Sequence, residues 1–434
     1  MKSLQRQRPR LIYIWLALTC ISVAQTGHEQ PAVDWIRAHA IPLRTVEAGQ
    51  GFDDMQPLAK VVGNAKIVAL GEATHGSREF FQLKHRMVEF LANQKGFTIF
   101  SIEANMPEAY RLNDFVLHGQ GDPKQLLKGM YFWIWDTEEV LNMILWMREF
   151  NRLGKGRIEF TGFDMQTPKL AINIIQSFVA AQDRSYETTI EPIYKEVTRR
   201  RKQAPAAESQ SQKVSGHLLA LKCRDVVEHL ERNRADLLRS GVERENLEWV
   251  IQNARIVLQF ALMQSGEQSR DQSMAQNVEW IADHNPGAKI VLWAANGHVR
   301  YAKFPEFTPM GRYLRQRFGR EMVSFGFSFG DGSFRAVETG TVPREFTVGP
   351  LPKGSLDRTL ASAGIPLFAL DLRQLPKDGA VARWFAKPHE MRNIGAVYSE
   401  TQADSPDPIS ITRWPEAFDV ILFVGKTKAS HGNP

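Results

Sequence analysis

Two reactive side chains stand three residues apart in "ALGEATHGS", residues 69–77: Glu72 and His75, set between Gly71 and Gly76. A carboxylate that holds an imidazole in one tautomer is equipment for taking a proton from water. The same pair could equally cap a following helix while the glycines turn the chain. Three further stretches carry matching groups: Glu103 and Asn105 in "SIEAN", Asp164 in "GFD", and Asn296 with His298 in "ANGH". Singly, each has a structural explanation as a cap, a turn residue or a satisfied buried histidine. Together, two carboxylates and two imidazoles (Glu72, Glu103, His75, His298) supply either a water-activating site or the ligand types of a divalent metal such as zinc or manganese.

These groups need elements that bring them together. The apolar runs Ala65–Leu70, Phe97–Ile102, Arg157–Thr161 and Lys289–Ala294 read as strands buried on both faces. Helical patterns lie between them, over Ser77–Leu91 and over the tryptophan-rich Met130–Phe150. This alternation predicts an α/β fold, a mainly parallel sheet covered by helices on both faces. Each reactive stretch begins where one of those strands stops, and in an open parallel sheet the loops at that edge face one crevice. Asp164 and Asn296 thereby become candidate substrate-binding residues. Trp133 and Trp135 could line a large apolar pocket or belong to the core.

From about 170 to 285 only helical patterns occur, over Ile190–Lys202, His217–Ser240, Glu243–Met263 and Ser269–His284, with a polar linker at Gln203–Val214. They read as a helical insertion between the third and fourth sheet strands. The β signal returns in Glu321–Phe329, Ser333–Glu338, Pro366–Leu372 and Phe418–Val424, a C-terminal β-rich extension of the sheet. Asp331-Gly332 predicts a hairpin turn between the first two of these. Gly326-Phe327-Ser328-Phe329-Gly330 fits the Gly-x-Ser-x-Gly nucleophile elbow, but that elbow needs a strand, a sharp turn and a helix. Ser328 lies in an alternating strand pattern with no helix behind it.

The 434-residue chain is 43% hydrophobic, a globular composition. Lys2, Arg6, Arg8 and Arg10 precede the apolar run Leu11–Ala24, which ends in the small residues Ser22-Val23-Ala24. Residues 1–24 therefore read as a signal peptide and 25–434 as a single hydrolase domain, exported to a periplasmic or secreted location. The alternative is anchorage by an uncleaved N-terminal segment, although the run is shorter than the about 20 residues of a membrane span. Without the four leading basic residues the formal charge falls from +6 to +2. Nothing in that balance implies a nucleic-acid partner, nor a membrane partner beyond the export signal. Cys20 lies in the signal and Cys223 stands alone, so no intramolecular disulfide is expected.

The stretch 70–91, "LGEATHGSREFFQLKHRMVEFL", resembles the erythromycin esterase family. So do "SIEANMPEA" (101–109), "WMREFN" (146–151), "GFDMQ" (162–166), "SRDQSMAQNV" (269–278), "WAANGHVRYA" (293–302) and "RNIGAVY" (392–398). The resemblance implies a hydrolase that opens an ester or macrolide lactone, a small-molecule substrate, with activated water, no covalent acyl-enzyme and no required cofactor. On this sequence Glu72 and His75 match the family's catalytic Glu-x-x-His, Glu103 its second acidic residue and His298 its later histidine. Lys84 stands where the family places a cation. His75 would be the general base, oriented by Glu72; His298 and Lys84 would stabilise the oxyanion, and Glu103 would position water or an imidazole. The family's later motif usually reads Trp-Ala-His-Asn, whereas here it is Trp293-Ala294-Ala295-Asn296. Losing such a group can remove a factor of about 100 or more in rate. An ester other than a macrolide, or a ligand-binding homologue with weakened turnover, is therefore an open alternative, as is metal binding by Glu72, His75, Glu103 and His298. Export, too, differs from what a cytoplasmic antibiotic-resistance enzyme needs.

Overall fold

The computed structural model describes residues 29–201, 210–338, 341–399 and 411–433, with side chains of 210–213 left out. The expected export signal, 1–24, lies outside these residues. Nine strands form one sheet: β1 (Ile41–Pro42), β2 (Ile67–Leu70), β3 (Ile99–Asn105), β4 (Glu159–Asp164), β5 (Ile290–Trp293), β6 (Met322–Ala336), β7 (Arg344–Thr347), β8 (Leu367–Asp371) and β11 (Val420–Thr427). A separate pair joins β9 (His389–Glu390) to β10 (Ile411–Thr412). Across the main sheet the order is β1-β8-β11-β6-β2-β5-β3-β4, with β7 on the far end of β6. The six strands from β11 to β4 are mutually parallel, while β8, β1 and β7 pair antiparallel.

β2, β3 and β5 are buried along their whole length, as continuous apolar runs require when both faces are covered. Alternate residues feed two cores. Ile67, Ala69, Ile290 and Leu292 pack with the helices α4 (Lys169–Gln182), α5 (Glu187–Arg201), α6 (Gln210–Arg232), α7 (Arg244–Gln264) and α8 (Arg270–His284). Val68, Leu70, Val291 and Trp293 face α1 (Arg78–Lys95), α2 (Met106–His118) and α3 (Glu138–Arg152) on the other side. Helices α4 to α8 occupy the chain between β4 and β5, and α9 (Asn296–Val299) and α10 (Met310–Phe318) follow β5.

The connections fix where a ligand cleft must open. From β2 the chain crosses to β3 on one side, and from β5 it crosses back to β6 on the other. β2 and β5 are neighbours whose exits diverge, so the crevice lies beyond their C-terminal ends, at Gly71 and Ala294.

Two local expectations change. Asp331-Gly332 makes no hairpin: β6 runs straight through it, because β11 continues in parallel register with Lys426 opposite Asp331 and Thr427 opposite Gly332. The chain reverses later, and β7 returns along residues 333–336. The tryptophan-rich helix also starts later than its periodicity predicts. Tyr131 sits at φ 69, and α3 begins only at Glu138, where the Thr137 hydroxyl accepts the Val140 N–H at 3.3 Å. Trp133 and Trp135 therefore lie in the preceding loop.

Candidate active site

The loop leaving β2 carries the first half of the site. Its glycines are required by close approach: a Cβ on Gly71 would stand 2.2 Å from Asn296 Oδ1, and one on Gly76 would stand 1.9 Å from Arg335 O. Gly76 O accepts N–H groups from Arg335 (2.9 Å) and Ser430 (2.8 Å), which pins the turn between β6 and the C-terminal tail. Within it Glu72 is 1% exposed and fully engaged. Its Oε1 accepts from His75 Nδ1 at 2.5 Å, and its Oε2 accepts from Lys84 Nζ at 2.5 Å and Trp293 Nε1 at 2.6 Å. Lys84 comes from α1, is wholly buried, and lies 4.3 Å from the Trp293 ring centroid.

These contacts decide protonation. Burial pushes the Glu72 carboxyl up, but the Lys84 charge and the His75 contacts outweigh it and hold Glu72 below its ordinary value, hence ionised. Burial in turn pulls Lys84 down to about 8, against the opposing pull of Glu72. An ionised carboxylate can only accept, so His75 carries a proton on Nδ1, which makes Nε2 the nitrogen left for proton transfer.

The second half is built on α8 and α9. Arg270, the first residue of α8, donates from Nη2 to Glu103 Oε1 (2.6 Å) and Asp164 Oδ2 (2.7 Å), and from Nε to Asp164 Oδ1 (3.1 Å). Its Nη1 lies 3.0 Å from His298 Nε2. The other ring nitrogen, His298 Nδ1, meets Asp271 Oδ1 at 2.8 Å, and that oxygen also accepts the Met310 N–H. Glu103 completes the set, with Oε2 accepting the Ala295 N–H at 2.9 Å and Oε1 lying 3.4 Å from His298 Nε2. Burial raises Glu103, but His298, Arg270 and His75 together hold it far below the usual carboxylate range.

His298 feels opposing demands. Burial lowers its pKa, while Glu103 and Asp271 raise it further, so the net direction is upward. Arg270 is a donor only, however, and its 3.0 Å contact requires a lone pair on Nε2. At Nε2 the neutral ring offers a lone pair to Arg270, and the protonated ring, favoured by the upward shift, offers an N–H to Glu103 Oε1 at 3.4 Å. A group poised between those two partners can accept and return a proton.

The halves join at the crevice between β2 and β5. Asn296 N–H donates to Glu72 O at 2.8 Å, and its side chain pairs with both the N–H and the C=O of Phe327 at 3.0 and 2.8 Å. Glu103 links the two halves, since both His298 and His75 act on its carboxylate. Several other candidates are engaged by the protein's own groups. Asp164 is fully buried against Arg270 and Gln166, and Asn296, 4% exposed, spends its amide on Phe327. Trp135 is fully buried with its ring edge-on to Trp293 at 5.4 Å, a core contact. Only Trp133 of this group is half-buried, 5.5 Å from the Arg335 guanidinium. Lys84 likewise has no open face toward an oxyanion, which assigns it to holding Glu72. Ser328 lies fully buried in β6 with its hydroxyl on Asp357 at 2.5 Å.

Arg270, Asp271 and Trp293 are the members that spacing alone missed. Arg270 and Asp271 look like ordinary first-turn residues of a helix capped by Ser269, whose hydroxyl accepts the Gln272 N–H. Their place in the similar motif "SRDQSMAQNV" is the one sequence signal for them.

A divalent metal fits these residues poorly. Both oxygens of Glu72 and both of Glu103 already bind donors, two of them the cations Lys84 and Arg270. Among the described residues no group of three or more His, Cys, Asp or Glu side chains is arranged to hold a metal ion.

A doubly wound α/β protein with two imidazole–carboxylate pairs at its switch point is thereby defined. The chain belongs to the erythromycin esterase family, whose model "Erythromycin esterase" matches residues 92–427. That match starts after Glu72, His75 and Lys84. The erythromycin esterase type II of Escherichia coli is 26% identical over 389 residues, 80% of this chain and 90% of that protein. A crystal structure of a Bacillus cereus protein superposes with a TM-score of 0.79 at 26% identity, covering 94% of this chain and 99% of its own. A histidine-to-asparagine mutant of the erythromycin esterase EreC, in its open conformation, shares the fold with a TM-score of 0.63 at 17% identity over 89% of this chain and 98% of its own.

Proposed function

We propose that the chain hydrolyses an ester, including the cyclic ester of a lactone, with water activated by His75. The observation that carries this reading is the saturation of Glu72 by His75, Lys84 and Trp293, which leaves His75 Nε2 as the basic nitrogen. Water bound at that nitrogen gives up a proton as its oxygen attacks the ester carbonyl. The resulting imidazolium is balanced by Glu72, and the tetrahedral oxyanion by protonated His298 beside Arg270. Collapse breaks the bond to the alcohol oxygen, which takes the proton from His75; an open ester gives an acid and an alcohol, a lactone one hydroxy acid. Lys84 acts through Glu72 and touches no substrate. One water is consumed and no acyl-enzyme forms.

The test is a panel of macrolides, lactones and simple esters followed by mass spectrometry in heavy-oxygen water. One heavy oxygen should enter the acid product, in single turnover as in multiple turnover. Chelator treatment should leave the rate unchanged; a loss restored by zinc or manganese would favour the metal-dependent alternative. The half-buried Ala295 stands beside the site, its N–H on Glu103 Oε2. Ala295→His is expected to raise lactone hydrolysis by about tenfold or more. A wild type that binds lactones without product, and gains turnover only in this variant, would favour the ligand-binding homologue.

The Lys84–Glu72 pair sets an alkaline limit. Below about pH 8 Lys84 keeps its proton and Glu72 its counter-charge; above it Lys84 becomes neutral and His75 loses its orientation. kcat/KM should therefore fall as pH rises through about 8, and Lys84→Arg should move that limb upward, because guanidinium stays charged. Export is the expected location, checked by fractionating cells that express the full chain and a chain lacking residues 1–24.

A further inference from the structure

The segment 391–398, Met-Arg-Asn-Ile-Gly-Ala-Val-Tyr, has no part in the chemistry above, yet it is bonded to the loop that carries it. Ile394 N–H donates to Ala73 O at 2.6 Å, one residue from Glu72 and two from His75. Farther along, Val337 N–H donates to Ala396 O (3.0 Å) and Tyr398 N–H to Val337 O (2.9 Å), which lays the segment along the outer end of β6. The near end is anchored by Arg392. Its N–H donates to Asp357 Oδ2 at 2.7 Å, and its guanidinium bonds Gly330 O and Gly349 O.

Asp357 is the unexplained group in this arrangement. It is fully buried, and its other oxygen accepts the Ser328 hydroxyl at 2.5 Å from the middle of β6. Burial raises its carboxyl to about 6 even with Ser328 and the Arg392 N–H opposing. A buried carboxyl is an expensive way to fill space, since an apolar side chain of similar volume would leave no polar atoms to satisfy. Here it joins sheet to segment, in the order Ser328, Asp357, Arg392, Ile394, Ala73. What the link holds in place is apolar: Ile394, Ala396 and Tyr398 are half-buried, packed on the core cluster that contains Ala73 and Leu70. Half-buried apolar side chains next to a reactive loop are what the hydrocarbon part of an ester would be sorted by.

We infer that residues 391–398 form a wall of the cleft, with Ile394 determining which acyl groups fit, and that Asp357 and Arg392 are positioning residues for that wall. This rests on the esterase reading. Substrates are then apolar acyl esters whose chain length is limited at Ile394.

The test uses p-nitrophenyl acetate, butyrate and octanoate with the full-length protein. Ile394→Ala should raise the octanoate-to-acetate ratio of kcat/KM by about tenfold, and Ile394→Trp should lower it by a similar factor. Asp357→Asn should raise KM for octanoate severalfold more than KM for acetate, and a second change, Arg392→Lys, should move the ratio the same way. A purely structural role would scale all three esters equally. Hydrogen exchange supplies a readout independent of turnover: in Asp357→Asn the amides of Ile394 and of the 73–77 loop should exchange about tenfold faster than in the wild type. Unmoved ratios in both Ile394 variants, or unchanged exchange in Asp357→Asn, would overturn the inference. Absence of hydrolysis of all three esters by the wild type would instead overturn the esterase reading, leaving the exchange result to decide the wall.

Discussion

His75→Ala is expected to lower kcat by a factor of about 10³ while leaving the fold intact, because it removes the general base from a site whose binding walls remain. His75 is 8% exposed and its one charged partner, Glu72, keeps Lys84 and Trp293 after the change, so no buried charge is stranded. Glu72→Gln should cost a comparable factor for another reason. The amide can offer an N–H where His75 Nδ1 needs an acceptor, so the ring can turn to its other tautomer, and Lys84 loses its counter-charge. The check is kcat against one hydrolysed ester, with thermal unfolding measured in parallel. A His75→Ala protein that retains a tenth of the wild-type kcat would remove His75 from the mechanism.

The second large effect is on stability. Arg270 is the shared cation of Asp164, fully buried, and Glu103, 6% exposed. Arg270→Met leaves two carboxylates facing each other with no charge between them, and breaking such a buried arrangement costs about 3–5 kcal/mol. The denaturation midpoint should drop accordingly at neutral pH. Since the loss arises from ionised carboxylates, it should shrink as pH falls far enough to protonate them, and Arg270→Met combined with Asp164→Asn should recover part of it. Equal midpoints for wild type and Arg270→Met would mean that the guanidinium carries no structural charge balance.

Much of this site is legible in the sequence because parallel strands announce themselves. Ile67–Leu70, Ile99–Ile102 and Ile290–Trp293 are short apolar runs that stop abruptly at glycine, glutamate or small residues, and chemistry gathers at those stops. Glu72, His75, Glu103 and His298 follow from that rule. What the rule lacks is the lateral order of the strands. β5 enters the sheet between β2 and β3, and only that insertion puts the Trp293 indole on Glu72 and the Ala295 N–H on Glu103. Arg270 and Asp271 belong to the same class, since a helix start gives no hint of a strand edge more than a hundred residues upstream. The misplaced hairpin at Asp331-Gly332 has a similar cause: turn residues state what a chain can do locally, and β11 alongside decides that it continues. Trp133 and Trp135 fit a helical period that the Tyr131 backbone interrupts.

The Trp293–Glu72 bond closes a separation of 221 residues. A ribosome that has released β2, β3 and β4 has therefore made a gap between β2 and β3 that no available segment can fill, with both inner strand edges unsatisfied until residue 293 emerges. Reactivity cannot appear in an N-terminal fragment that stops before β5, and the nascent chain must be kept from pairing those edges with another copy.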